Sequence, residues 1–230
     1  MSKVDEIREL LALCTSEERL QIFRILRSEF PIHPYEKTLN TKAEVILEAI
    51  SKAPDLTIRG VRGILAEASF LVEVVAPLLS TGWRDVTPKG NLPYDCLIED
   101  NKGTIRVQVK MQRLKNHRPM MASEGLRRLS EDKFVVETQR TRGGKDPTGG
   151  NTRPYRFGEF DILAVSLHPS TNDWRDFRYT VAGWLLPDPA IRKNMLKFQP
   201  VAQKPNTDWT SEFLEAVRWF RSGKRKRIST

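Results

Sequence analysis

Residues 94–110 read YDCLIEDNKGTIRVQVK. Two apolar runs flank an Asn-Lys-Gly turn, which is the pattern of a β-hairpin. An aspartate, Asp95, stands at one end, and Gln108 and Lys110 stand two apart at the other, where a half-buried hairpin favours Val or Ile. Side chains alternate along a strand, so Ile105, Val107 and Val109 are expected on the core and Arg106, Gln108 and Lys110 on a polar face. Pairing of the two strands brings Asp95 to the same end of the sheet. A carboxylate, an amide oxygen and an ammonium gathered there suit a hard divalent cation beside a phosphate. Mg²⁺ prefers oxygen ligands and keeps several waters, so one or two protein oxygens are enough to seat it.

Upstream, Val61, Ile64, Leu65, Ala68, Leu71, Val72 and Val75 recur at spacings of three and four. This predicts a helix from about Val61 with that stripe on the core, kinked or ended by Pro77. Glu67 flanks the stripe, where a carboxylate is costly unless a metal or a donor meets it. Glu73 shares the polar side with Arg62 and Ser69 and reads as a solvated charge. An acid or Gln two residues before Lys recurs at Asp100 and Glu131, but only Gln108 sits on an alternating strand with an aspartate upstream. Spacing alone leaves a second reading open, in which Asp95 caps a strand and Lys110 is a surface cation.

The first third reads as helical. Thr15-Ser16-Glu17-Glu18 fits a capping box, followed by an apolar face of Leu20, Ile22, Phe23 and Leu26, a break at FPIHPYEK and a helix over about 41–52. From Trp83 the period changes to two, with strands expected near 83–86, 94–99, 105–111, 134–137, 160–167 and 177–185. Helices are expected near 120–129 and 211–220. This order predicts a mixed α/β core, organised as an N-terminal helical region (1–57), a core (58–190) and a C-terminal helix with a basic tail (191–230).

Lys and Arg number 38 against 29 Asp and Glu, a formal charge of +9, so polyanions and nucleic acid above all are the expected partners. Arg140, Arg142, Lys145, Arg153 and Arg156 crowd a glycine-rich loop, QRTRGGKDPTGGNTRPY, and Arg113, Lys115, Asn116, His117 and Arg118 follow Lys110. Both segments are candidates for DNA contact, the loop having a flexible, solvated stretch as its alternative. The tail Lys224-Arg225-Lys226-Arg227 is expected to be a disordered, polyanion-attracting end. Cys14 and Cys96 are far apart and the three histidines are scattered, so neither a disulfide framework nor a zinc site is expected, and the chain suits a reducing cytoplasm. The charged start and the short, interrupted apolar stretch over 70–79 predict neither a signal peptide nor a membrane span.

PYD at 93–95, the hairpin, and QVK at 108–110 together resemble the PD-(D/E)XK nuclease superfamily in its D…QxK variant, the form seen in Mrr-like restriction nucleases. Glu67 stands at the place of the helix glutamate that many members carry. TGW at 81–83 and TPKG at 87–90 are similar to the lead-in of these enzymes, and GEFDILAV at 158–165 looks like a later core strand; the resemblance covers roughly residues 61–186. It implies a three-layer α/β/α restriction-endonuclease-like core with a mixed central sheet, here with an N-terminal helical extension. It further implies Mg²⁺-dependent hydrolysis of double-stranded DNA, leaving 5′-phosphate and 3′-hydroxyl ends. By the same resemblance Asp95, Gln108 and the Val109 carbonyl hold the metal, Lys110 positions or polarises the attacking water, and Glu67 supports them. Gln108 departs from the commoner Glu or Asp and is a weaker ligand. The resulting expectation is a type II restriction endonuclease acting as a two-fold homodimer, with a cognate DNA methyltransferase as a genetic companion and not a bound subunit. A repair or junction-resolving nuclease, and a non-catalytic DNA-binding protein on a degenerate nuclease core, are the alternatives.

Overall fold

A computed structural model describes residues 2–31, 33–140, 144 and 152–230. The chain forms two compact units that meet in sequence between Arg59 and Gly60.

The first unit consists of α1 (Lys3–Leu13), α2 (Ser16–Glu29), α3 (Tyr35–Thr38), α4 (Ala43–Ser51) and the start of α5 (Asp55–Phe70). The capping box forms as expected: Thr15 N–H donates to Glu18 at 2.7 Å, and Glu18 N–H donates to the Thr15 hydroxyl at 3.3 Å. The expected burial of the α2 apolar face does not occur, since Leu20, Phe23 and Leu26 remain about half exposed (48–54%). Among the described residues of this unit the one buried side chain is Glu36. Arg27 bridges Glu36 and Glu44, with 2.8 Å to the latter, and the Ala43 N–H donates to Glu36 at 2.6 Å. A charged cluster therefore ties these helices together where an apolar core was expected.

The second unit is a mixed α/β fold on a five-stranded mixed sheet. Its strands are β1 (Arg84–Asp85), β2 (Cys96–Asp100), β3 (Gly103–Met111), β4 (Leu114–Lys115), β5 (Arg118–Pro119), β6 (Phe134–Glu137), β7 (Ile162–Ser166), β8 (Phe177–Val181) and β9 (Phe198–Val201). The central order is β1-β2-β3-β7-β8; β3 and β7 run parallel, and the other neighbours are antiparallel. The hairpin pairs Asp100 with Gly103, and Gly103 takes φ +112°, a conformation open to glycine because it has no Cβ. β4 and β5 form a second tight hairpin around Asn116 and His117, both at positive φ, as a type I′ turn requires. β6 pairs with β9, a strand the sequence reading did not anticipate.

On one face of the sheet Ile105, Val107 and Val109 pack with Cys96, Ile98, Ile162, Phe177 and Tyr179 against α5 and α9 (Phe213–Arg221). The α5 contribution corrects the expected stripe. Ala66, Phe70 and Val75 are buried, whereas Ile64, Leu65, Ala68, Leu71 and Val72 are exposed. A π-helical turn over Leu71–Val75, closed by Ala76 N–H to the Leu71 carbonyl, explains part of this phase change. Pro77 lacks the N–H that would bond the Glu73 carbonyl, and past the wider turn Val75 joins the buried cluster that holds Phe70. The helix then continues through Pro77 for one short stretch, α6 (Ala76–Leu79).

The second face carries Leu163, Val165, Phe160 and Val181, covered by β6, β9, Trp184, Met195 and Trp209. The short helices α7 (Ala122–Gly125) and α8 (His168–Thr171) lie in the connections. The basic tail is not a free end, which corrects that expectation: Ile228 is buried, Lys226 ion-pairs with Asp208 at 2.9 Å and lies 4.2 Å from the centre of the Trp184 ring, and Arg227 donates to the Gly183 and Leu185 carbonyls. Interleaved apolar and aromatic partners turn a charge run into a strap across this core. Among the described residues no helix is long and apolar enough to cross a membrane.

Phe70 is fully buried between the helix and the sheet, edge-on to Phe177 and Phe213. Phe70→Ala is expected to cost about 3–5 kcal/mol in urea unfolding. Ile228→Ala, in what reads as a tail, is expected to cost about 2–4 kcal/mol; an unchanged midpoint would show that the strap contributes nothing to the fold.

Candidate active site

β3 is nine residues long and β2 five, and their ladder ends at the pair Cys96 and Val107. The last residues of β3 keep β7 as a neighbour but lose β2. The Val109 N–H and carbonyl then face an open sheet edge, and side chains meet them. Asp95 N–H donates to the Val107 carbonyl at 2.9 Å, and the chain turns so that Asp95 Oδ2 accepts the Val109 N–H at 2.7 Å. The Gln108 side-chain amide donates to the same Asp95 oxygen and, at 3.1 Å, to the Val109 carbonyl. The carboxylate of Asp95, the amide of Gln108 and the carbonyl of Val109 thus converge within hydrogen-bond reach of one another.

Gln108 does not lie on an open polar face, as the alternation had predicted. It is 1% exposed, as buried as the apolar residues of β3. Burial obliges its amide to find partners, and Asp95 and Val109 supply them. Asp95, Glu67 and Lys110 are partly exposed.

Glu67 reaches this centre from α5, four residues after Gly63 and three before buried Phe70. Its carboxyl is pushed up to about 7, by burial first and then by the charge of Asp95, with Lys110 opposing. Asp95 is also raised by burial, against the pull of Lys110, the Val109 N–H and the Gln108 amide. Two desolvated carboxyls that feel each other, next to a carbonyl and an amide, form an oxygen-rich group whose repulsion a cation would relieve. Among the described residues no three His, Cys, Asp or Glu side chains gather as metal ligands, so any metal here would depend on the amide and the carbonyl as well.

Lys110 extends from β3 to the Tyr155 ring, with Nζ 5.2 Å from its centre. Arg140 lies 5.5 Å from the same ring. Tyr155 was not singled out in the sequence; it closes the glycine-rich loop, where no periodicity marks an inward-facing residue. Arg106, expected beside Gln108 and Lys110, is instead bound to Asp161 through paired contacts of 2.7 and 3.1 Å, tying β3 to the start of β7.

Most of the cations named for DNA contact are held by carboxylates. Arg113 (3.1 Å), Arg153 (3.9 Å) and Lys197 (3.7 Å) surround Glu137. Arg118 and Lys115, flanking Asn116 in the tight hairpin, both contact Glu124, at 2.5 and 3.5 Å. Arg140 pairs with Glu159 at 2.8 Å, and the Arg156 N–H donates to the same carboxylate at 3.0 Å. The loop stays closed at its base, where Arg140 N–H donates to the Arg153 carbonyl. Arg142 and Lys145 lie outside the described residues.

No family model matches the chain, and no curated protein matches it. Among solved structures it is similar to a bacterial homing endonuclease, I-Ssp6803I, at a TM-score of 0.34 and 16% identity, over 70% of this chain and 90% of that one.

The raised Glu67 carboxyl has a consequence for stability. The native state holds this proton more tightly than the unfolded chain, whose glutamates titrate near about 4.3. The stability carried by that difference is complete below about pH 4.3 and is lost as pH rises through about 7. Glu67→Gln is therefore expected to gain Tm relative to the native protein as the metal-free samples go from pH 4 to pH 8. A Tm difference that stays flat across that interval would contradict the desolvated placement of Glu67.

Proposed function

We propose that the protein is a DNA endonuclease of the PD-(D/E)XK type, hydrolysing phosphodiesters of double-stranded DNA with Mg²⁺. The observation that carries this reading is the convergence of Asp95, the Gln108 amide and the Val109 carbonyl at an open sheet edge, with Lys110 acting on Asp95 and with Glu67 near enough to feel both. Asp95, Gln108, the Val109 carbonyl and Glu67 are the groups that would hold the cation. A bound Mg²⁺ lowers the pKa of a coordinated water and neutralises charge that builds on the phosphate.

The chain's own residues supply the rest. Lys110 presents an ammonium beside the carboxylates, where it orients water or a phosphate oxygen as a point charge. The Val109 N–H keeps Asp95 aimed at the open edge. Arg113, Lys115, Asn116, Arg118, Arg140, Arg153 and Arg156 form the proposed DNA surface, to which Arg142 and Lys145 belong by sequence. Arginines preset by Glu137, Glu124 and Glu159 suit phosphate contact or bidentate contact with guanine.

A type II restriction enzyme, working as a two-fold dimer so that two centres cut two strands, fits this surface and its sequence signature. A methyltransferase encoded alongside is its expected genetic companion. The burial of Gln108, with its amide nitrogen on Asp95, favours a second reading, a DNA-binding protein that has lost cleavage.

Incubation of the purified protein with phage DNA and Mg²⁺ separates these functions. Discrete fragments ending in 5′-phosphates are expected, and Asp95→Ala and Lys110→Ala should each abolish them while keeping the fold and most DNA binding. Cleavage confined to branched DNA would indicate junction resolution. Binding without products would indicate the inactive module, and full cutting by either variant would remove the site assignment.

A further inference from the structure

Lysine is a poor positioning group unless something restrains it, because its ammonium ends a flexible four-carbon stem. The restraint on Lys110 is visible in the fold. Tyr155 is buried at 4% exposure. Its ring is locked edge-on against Phe160, with centres 5.3 Å apart and planes at 90°. Its carbonyl accepts the Met195 N–H at 2.8 Å, so the backbone is fixed as well. Lys110 Nζ lies 5.2 Å from the centre of this buried ring, within the range of a cation–π contact, and Arg140 lies 5.5 Å from it. Arg140 is in turn held by Glu159 at 2.8 Å. Burial raises the phenol's pKa, and Lys110 opposes this by its charge and by hydrogen bonding to the phenol, while Asp95 adds to the rise.

We propose that Tyr155 is a positioning residue: its ring holds the Lys110 ammonium beside the carboxylate centre, and the Arg140–Glu159 pair fixes the ring from the base of the glycine-rich loop. This rests on the reading of Asp95 and Lys110 as a hydrolytic centre. Ring and hydroxyl both meet the ammonium, and phenylalanine, which keeps the aromatic face, separates the two contributions. Displacing the ammonium by about 1 Å is enough to cost on the order of a hundredfold in rate.

The test has two arms. In the first, kcat and KM for cleavage are measured for Tyr155→Phe and Tyr155→Leu. The phenylalanine variant, which keeps the ring and loses the hydroxyl, is expected to lose less kcat than the leucine variant. The leucine variant should lose kcat by roughly tenfold to a hundredfold with KM little changed. In the second arm, urea midpoints are measured without metal for Lys110→Met, Tyr155→Leu and the double variant, where a held pair gives shifts that do not add. Should Tyr155→Leu fail to fold, Tyr155→Met, whose unbranched side chain fills irregular space, replaces it in both arms.

Undiminished kcat in a folded Leu or Met variant, a loss confined to KM, or additive midpoints would each overturn the proposal. Cleavage that Lys110→Ala abolishes but Tyr155→Leu spares would overturn it while leaving the nuclease reading intact. If the native protein cuts nothing, the nuclease reading falls and the positioning role with it; non-additive midpoints would then mark a packing contact alone.

Discussion

The whole centre depends on a strand that ends too early. β2 stops pairing with β3 at Cys96, and the Val109 N–H and carbonyl beyond that point have no ladder partner on that side. Unpaired backbone groups in a folded core are costly, so side chains must replace the missing strand. Asp95 takes the N–H and the Gln108 amide takes the carbonyl. The same substitution that satisfies the backbone brings acidic and amide groups to the end of a rigid sheet, where a site can be held to tight tolerances. Fold stability and candidate chemistry here draw on the same three residues.

Legibility in the sequence followed the strength of local periodicity. The hairpin could be read because Ile105, Val107 and Val109 alternate strictly around a glycine turn, and all three are buried on the core face. The other face could not be judged from polarity, because Gln108 is as buried as its apolar neighbours. The core on that side of the sheet is assembled from distant parts of the chain, among them Tyr155, Phe160 and Met195. In α5 the apolar residues occupy more than one side, so periodicity showed a helix without showing which stripe meets the sheet. β9 was missed because FQPV contains a proline and a buried, hydrogen-bonded glutamine, Gln199, both atypical of a strand. Lys226 and Arg227 read as solvated because their partners, Trp184, Asp208 and Gly183, lie far away in sequence.

Charge is organised by pairing more than the net excess of cations implies. Glu137, Glu124 and Glu159 each collect two or more basic or N–H groups around the segments that follow β3 and β6. At exposed positions such pairs contribute little stability, commonly under about 1 kcal/mol. Their effect is geometric: each carboxylate restricts the arginines and lysines around it. The excess positive charge still draws a polyanion at long range.

Gln108 is best understood through the charges around it. Asp95 and Glu67 are both raised by burial, and the charge of Asp95 raises Glu67 further. A carboxylate at position 108, buried to the same degree, would add a third negative charge to a group that tolerates two poorly. An amide avoids that cost and offers both a donor and an acceptor. Its N–H₂ end donates to Asp95 and to the Val109 carbonyl. The centre stays neutral at this position, and the ammonium of Lys110 then meets two carboxyl groups instead of three.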